Sequence, residues 1–184
     1  MLRTFVSLSV PDEVVDELSW MQAGLPGARW VEADNLHLTL RFVGEVEGHV
    51  FEAIARALEG VSVPPFSLTL AGLGHFPPRG QPRNVWAGVA PSESLMRLRE
   101  RVERAVVSAG VAPERRKFHP HVTLARLRGT PAARVGRYLA EHSLFRSSTF
   151  EVAAFHLCTS RLHPDGPVYT REVSFRLPPP DSPF

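Results

Sequence analysis

Asp34-Asn35-Leu36-His37-Leu38-Thr39-Leu40-Arg41-Phe42-Val43-Gly44 and Phe118-His119-Pro120-His121-Val122-Thr123-Leu124-Ala125-Arg126 each carry a His-x-Thr-x tetrapeptide, and reading them as strands decides the fold. In a strand, alternate side chains face opposite ways. His37 and Thr39 then share one face while Leu38 and Leu40 enter the core, and His121 and Thr123 stand opposite Val122 and Leu124 in the same way. Each tetrapeptide presents an imidazole and a hydroxyl about 7 Å apart on a rigid backbone. His121 follows His37 by 84 residues, so one copy in each half of the chain is the natural arrangement.

Outward from these strands, the pattern alternates helix and strand. Thr4–Val10 alternates as a strand, and Pro11-Asp12-Glu13 opens a helix to about Ala23, closed by Leu25-Pro26-Gly27. A short strand begins near Trp30-Val31, and a long one runs from Asn35 to Val43. A helix follows over 48–58. Phe66–Leu70 and Val85–Val89 read as neighbouring strands across a Pro/Gly/Arg-rich loop, His75–Asn84, long enough to suggest function or disorder. Ser92 caps an amphipathic helix whose Leu95, Leu98, Val102 and Val106 recur at helical spacing, with Gly110 beyond its end. A strand over 121–127, a helix over 130–142 and strands over 150–160 and 168–175 complete the chain. The proline-rich tail 178–184 is expected to be loose. The helix-separated strand groups predict an α+β protein of two similar lobes forming one domain over 1–184.

Composition narrows the function. The 184 residues are 43% hydrophobic, enough for a real core. No run approaches the roughly 20 apolar residues of a membrane span, and the amino terminus enters a strand pattern without a leader, so a cytoplasmic protein without membrane association is expected. Cys158 is the single cysteine, which leaves no internal disulfide and no cysteine-based zinc framework and points to a structural thiol. A net charge of +2 argues against coating nucleic acid by charge alone. Lys117 is the only lysine; the arginine bias suits bidentate phosphate contacts but equally reflects codon usage.

Two histidines on opposite sides of a phosphodiester supply the two proton transfers its hydrolysis needs. Imidazole titrates near pH 6.5, so one ring can accept a proton while the other donates. Thr39 and Thr123 can hold non-bridging oxygens, and the scheme needs no metal or other cofactor.

With these motifs the chain resembles the two-histidine phosphoesterase superfamily, and within it the bacterial and archaeal RNA 2′,3′-cyclic phosphodiesterases, also called 2′-5′ RNA ligases. The stretch Arg3-Thr4-Phe5-Val6-Ser7-Leu8 adds to the likeness, which covers nearly the whole chain. It implies a bilobed, pseudo-symmetric α+β fold, each lobe with an antiparallel sheet and flanking helices, and an active site in the central cleft. It also implies hydrolysis of a terminal 2′,3′-cyclic phosphate on RNA to a 2′-phosphomonoester, with His37 as proton donor, His121 as acceptor and reverse 2′-5′ ligation as a secondary activity. The motifs are chemically alike, so the residues themselves do not assign donor and acceptor. tRNA fragments, other RNA ends and small cyclic nucleotides are all open as substrates, and a monomer is the default.

Three further positions are candidate substrate contacts. Arg126 lies five residues after His121, which on a regular strand puts it opposite the histidine face; a bend would swing it to the phosphate, as the resemblance implies. Phe42, five after His37, either stacks on the terminal base or packs in the core. His119 shares a face with His121 if the segment is fully extended, though Pro120 intervenes. Arg115-Arg116-Lys117 either guides an RNA backbone or forms a solvated loop. His49, His75, His142, His156 and His163 have no partners at ligand spacing and read as structural or surface residues. Two other readings compete: a non-catalytic RNA or nucleotide phosphate-binding protein, and a zinc site of His37, His119 and His121. Retention of both histidines and both threonines disfavours the first, and the lack of a supporting carboxylate disfavours the second.

Overall fold

A computed structural model describes residues 1–179; residues 180–184 of the expected loose tail lie outside the described part. The α+β class holds. Among the described residues the elements run β1 (Leu2–Ser9), α1 (Asp12–Ser19), β2 (Ala28–Trp30), a 3₁₀ turn (Ala33–Asn35), β3 (His37–Val46), α2 (Gly48–Leu58), β4 (Phe66–Leu68) and β5 (Leu70–Phe76). They continue with β6 (Asn84–Val89), α3 (Glu93–Ser108), β7 (His121–Leu127), α4 (Ala132–Glu141), β8 (Phe150–Val152), β9 (Ala154–His163) and β10 (Gly166–Arg176). Ser92 caps α3 as its sequence predicts, its hydroxyl accepting from Leu95 N–H at 3.2 Å.

The strand groups expected as two sheets are joined into one. The order β10-β9-β1-β3-β7-β6-β5 is continuous, with β2 added alongside β7, and β4 and β8 form a separate pair. The seam is a single antiparallel register pair, Leu38 with Val122. Both side chains are buried, as are Leu40 and Leu124. Burial of side chains this size is worth about 1.5–3 kcal/mol each, and a one-residue slip would turn the histidines into the core in their place. The same burial therefore sets the register that brings the motifs together.

The halves are not consecutive in sequence. The early strand β2 pairs with β7, and the late strand β9 pairs with β1. The predicted pairing of 66–70 with 85–89 is also corrected: β4 leaves the main sheet for β8, and β6 pairs with β5, which extends to Phe76 and shortens the expected loop. Glycines at 72 and 74 weaken the strand signal there. Gly72 has φ +71°, and a Cβ on Gly74 would lie 2.4 Å from the Trp86 ring that crosses it.

Candidate active site

The register pair Leu38 with Val122 runs antiparallel, so it aligns His37 with Thr123 and Thr39 with His121. Paired residues share a face. The four polar side chains therefore stand together opposite the core, with the two imidazoles on one diagonal and the two hydroxyls on the other.

Each imidazole is held in the same way. His37 Nδ1–H donates to the Asn35 carbonyl and His121 Nδ1–H to the His119 carbonyl, both at 2.6 Å. A carbonyl can only accept, so Nδ1 carries the proton in each ring and Nε2 is left for chemistry. Thr39 Oγ1 lies 3.0 Å from His37 Nε2, where its hydroxyl donates to the neutral ring. Asn35 is itself tied to the β9–β10 hairpin, its Nδ2 donating to the Pro167 carbonyl at 2.9 Å.

Aromatic rings flank both histidines. Phe5 and Tyr169 each lie with centroids 5.1 Å from His37, whereas Phe76 and Trp86 lie 5.1 and 5.8 Å from His121. Burial holds the pKa of both imidazoles below the ordinary value, against the raising effect of their carbonyl partners; His121 adds to the lowering at His37, and His119 at His121. In sequence, Tyr169, Phe76 and Trp86 carry no signal of this role, because each reaches the site from a distant strand. Phe5 falls within a family-like stretch yet shows its role only through its position beside His37.

Phe42 and Arg126 reach the histidine face by a device that alternation alone hides. Val6 pairs with Arg41 but Ser7 with Thr39, so Leu40 is an extra residue; Val85 pairs with Ala125 but Trp86 with Thr123, so Leu124 is extra in the same place. A β-bulge shifts the alternation by one. Arg41 and Ala125 consequently turn inward, and Phe42 and Arg126 turn outward on the side of the histidines. Phe42 is 42% exposed, which removes the core-packing reading, and Arg3 lies over its ring at 5.4 Å. The Leu124 carbonyl at the second bulge accepts from Val31 N–H at 2.8 Å and from Gln22 Nε2 at 3.1 Å. The first bulge is anchored by Arg41, whose guanidinium is buried against Glu103 and donates to the Phe42 and Ala112 carbonyls at 2.6 Å each.

His119 is exposed beside His121, with ring centroids 6.3 Å apart and Trp86 at 4.8 Å. Arg116 is engaged by Glu114, which its guanidinium holds down to a pKa of about 2. Four of the remaining histidines have ordinary partners: His156 is buried between the Ser9 and Ser174 hydroxyls at 2.8 Å each, His142 packs on Tyr138, and His49 and His163 sit by surface carboxylates. His75 lies in β5. Cys158 is buried 3.5 Å from the Ser7 hydroxyl, and burial pushes its thiol up. Among the described residues no group of three His, Cys, Asp or Glu side chains could hold a metal ion, and no helix is long and apolar enough to cross a membrane.

Comparison with known proteins bears on the family and the fold. The sequence profile of the 2′-5′ RNA ligase superfamily matches residues 9–163. The chain is 41% identical over 150 residues to the RNA 2′,3′-cyclic phosphodiesterase of Aeropyrum pernix, covering 79% of this chain and 84% of that one. It is 36% identical over 189 residues to the protein of the same name from Thermus thermophilus, covering 96% and 90%. The fold superposes on a crystal structure of a Thermus thermophilus protein with a TM-score of 0.82 at 27% identity, covering 97% of this chain and all of that one. It superposes on E. coli LigT complexed with 3′-AMP with a TM-score of 0.79 at 28% identity, covering 96% and 98%. With two motifs brought onto one face and matches that span most of its length, this chain belongs to the 2′-5′ RNA ligase superfamily.

Proposed function

We propose that this protein is a metal-independent RNA 2′,3′-cyclic phosphodiesterase, opening terminal 2′,3′-cyclic phosphates to 2′-phosphomonoesters. The observation that carries the reading is the diagonal pair of imidazoles, each with Nδ1–H bound to a carbonyl, which leaves Nε2 as the atom that can move a proton, at His37 in exchange for its bond from Thr39.

In the proposed reaction His121 Nε2 accepts a proton from water as its oxygen bonds to phosphorus. The P–O3′ bond breaks, and His37 Nε2–H delivers a proton to the leaving 3′ oxygen. Thr39 and Thr123 hold the non-bridging oxygens, and Arg126 offsets the charge that gathers on them. Phe42 offers a stacking face for the terminal base, and His119 contributes its carbonyl to orient His121. With an RNA 5′-hydroxyl in place of water, the same two transfers join ends through a 2′-5′ bond. The chain acts as a cytoplasmic monomer on RNA ends such as tRNA fragments.

Incubation with an oligonucleotide bearing a 2′,3′-cyclic phosphate, in EDTA, tests the reading. A 2′-phosphate product is expected. Tight binding without product would favour a phosphate-binding protein, and loss of activity restored by stoichiometric zinc would overturn the metal-free scheme.

The pH profile follows from the depressed imidazoles. Lowered pKa values leave both rings neutral at pH 7 in the free enzyme, whereas the reaction needs one of them protonated. Because kcat/KM reports the free enzyme, it is expected to rise as the pH falls from 8 and to peak below the ordinary imidazole value of 6.5. An optimum above pH 7 would contradict the shifts. Thr39→Val and Thr123→Val keep the shape and remove one donor each. Each is expected to raise the barrier by about 2–4 kcal/mol, seen in kcat, by analogy with loss of an oxyanion donor; an effect on KM alone would assign the hydroxyls to ground-state binding.

A further inference from the structure

Thr123 is shared between the catalytic face and a pocket of about 570 Å³ lined by Arg83, Asn84, Arg126, Leu127 and Arg128. Arg29 of β2 lies directly opposite Arg126 in the register of β2 and β7. Among the described residues, Arg41, Arg99, Arg104 and Arg116 each meet a carboxylate, whereas Arg29, Arg83, Arg126 and Arg128 form no ion pair. Like charges directly across a strand pair destabilise it, so the sheet retains a repulsive pair at the lip of the site. A polyanion lying there removes that repulsion.

The other half of the site lacks this feature. Beyond Phe42 the chain reads Val43-Gly44-Glu45-Val46-Glu47, with Arg3 of β1 the register partner of Glu45, while beyond Arg126 it reads Leu127-Arg128. Formal charge beyond the motifs is therefore mixed on the β3 side and basic on the β7 side. A single cyclic phosphate is already met by the two histidines and two threonines. The additional guanidinium groups have work only if further phosphates follow.

We propose that Arg83 and Arg128, with Arg29 and Arg126 beside them, form a subsite for the phosphates immediately upstream of the reacting end, so that this chain prefers RNA ends of two or more nucleotides over mononucleoside cyclic phosphates. The inference rests on the catalytic reading above and adds a direction: the RNA leaves the site along β7. Same-face residues on a strand stand about 7 Å apart, of the order of one step between neighbouring phosphates.

The test compares kcat/KM for a mononucleoside 2′,3′-cyclic phosphate and for a trinucleotide with the same end, over a range of salt. The proteins are wild type, the double variant Arg83→Ala/Arg128→Ala, and a control of equal charge loss on the helices, Arg56→Ala/Arg104→Ala. Wild type is expected to favour the trinucleotide. The Arg83/Arg128 variant should lose roughly tenfold or more on the trinucleotide, the worth of a charge-assisted contact, and nothing on the mononucleoside. Its log–log salt slope on the trinucleotide should flatten by about 0.7 for each phosphate contact removed. Equal wild-type rates on both substrates, an equal loss on both in the variant, or the same loss in the helix control would overturn the subsite. Hydrolysis of neither substrate by wild type would instead sink the catalytic reading, and the subsite with it.

Discussion

His37→Ala and His121→Ala are each expected to lower turnover of an RNA 2′,3′-cyclic phosphate by about 10²–10⁴-fold, the usual worth of a positioned general acid or base. Neither ring can replace the other. They stand on opposite corners of the motif rectangle, with Nδ1 committed to the Asn35 or His119 carbonyl, so in the proposed reaction each Nε2 serves its own side of the phosphorus. Removing one leaves either the attacking water or the leaving oxygen without its proton partner. The double variant should fall little further than the worse single one, because the two transfers serve one reaction and their losses do not add. Stability should change little, since both rings are only partly buried and lie opposite the core. Single-turnover assays with a cyclic-phosphate oligonucleotide, together with thermal unfolding, provide the check. Near-normal turnover by either single variant would defeat the two-histidine scheme.

Arg41→Ala is expected to cost about 3–5 kcal/mol of stability, the range for removing one partner of a buried ion pair. Arg41 is 6% exposed and its partner Glu103 14%. Alanine would leave the Glu103 carboxylate with its hydrogen bond from Glu114 N–H and only the more distant Arg99 guanidinium at 3.9 Å, and would deprive the Phe42 and Ala112 carbonyls of a donor. Those contacts join the bulge of β3 to α3 and to the segment that leads into the second motif. Loss of catalytic efficiency should accompany the loss of stability as Phe42 loosens. Arg41→Lys keeps the charge but not the fork, so it should fall between wild type and alanine. Urea unfolding would show the effect as a lower midpoint at unchanged slope. An alanine variant within about 0.5 kcal/mol of wild type would mean that Arg99 and solvent compensate Glu103 once Arg41 is gone, so that Arg41 does not anchor the bulge.

Much of the site was legible in the chain because its signals are local. Strand alternation put His37 with Thr39 and His121 with Thr123, helix periodicity marked α3 from its Ser92 cap, and apolar Leu38, Leu40, Val122 and Leu124 marked the buried face. Those positions needed only the periods of strand and helix. The faces of Phe42 and Arg126 were not legible, because a bulge at Leu40 or Leu124 leaves no mark in composition and appears only when the neighbouring strand is paired. For the same reason β5 was hidden: its glycines look like a loop until Trp86 is seen lying across Gly74.

The sequence by itself determined that two imidazole–hydroxyl pairs exist, that each stands on one face of a strand, and that a core lies behind them. Tertiary structure alone decided that they form one site. That outcome depends on Leu38 meeting Val122 across 84 residues, on β2 and β9 joining the strands of the opposite end of the chain, and on rings such as Tyr169 and Trp86 arriving from other strands. Periodicity is a property of one segment read alone, whereas register and the assembly of a face depend on which segments bury their apolar sides together.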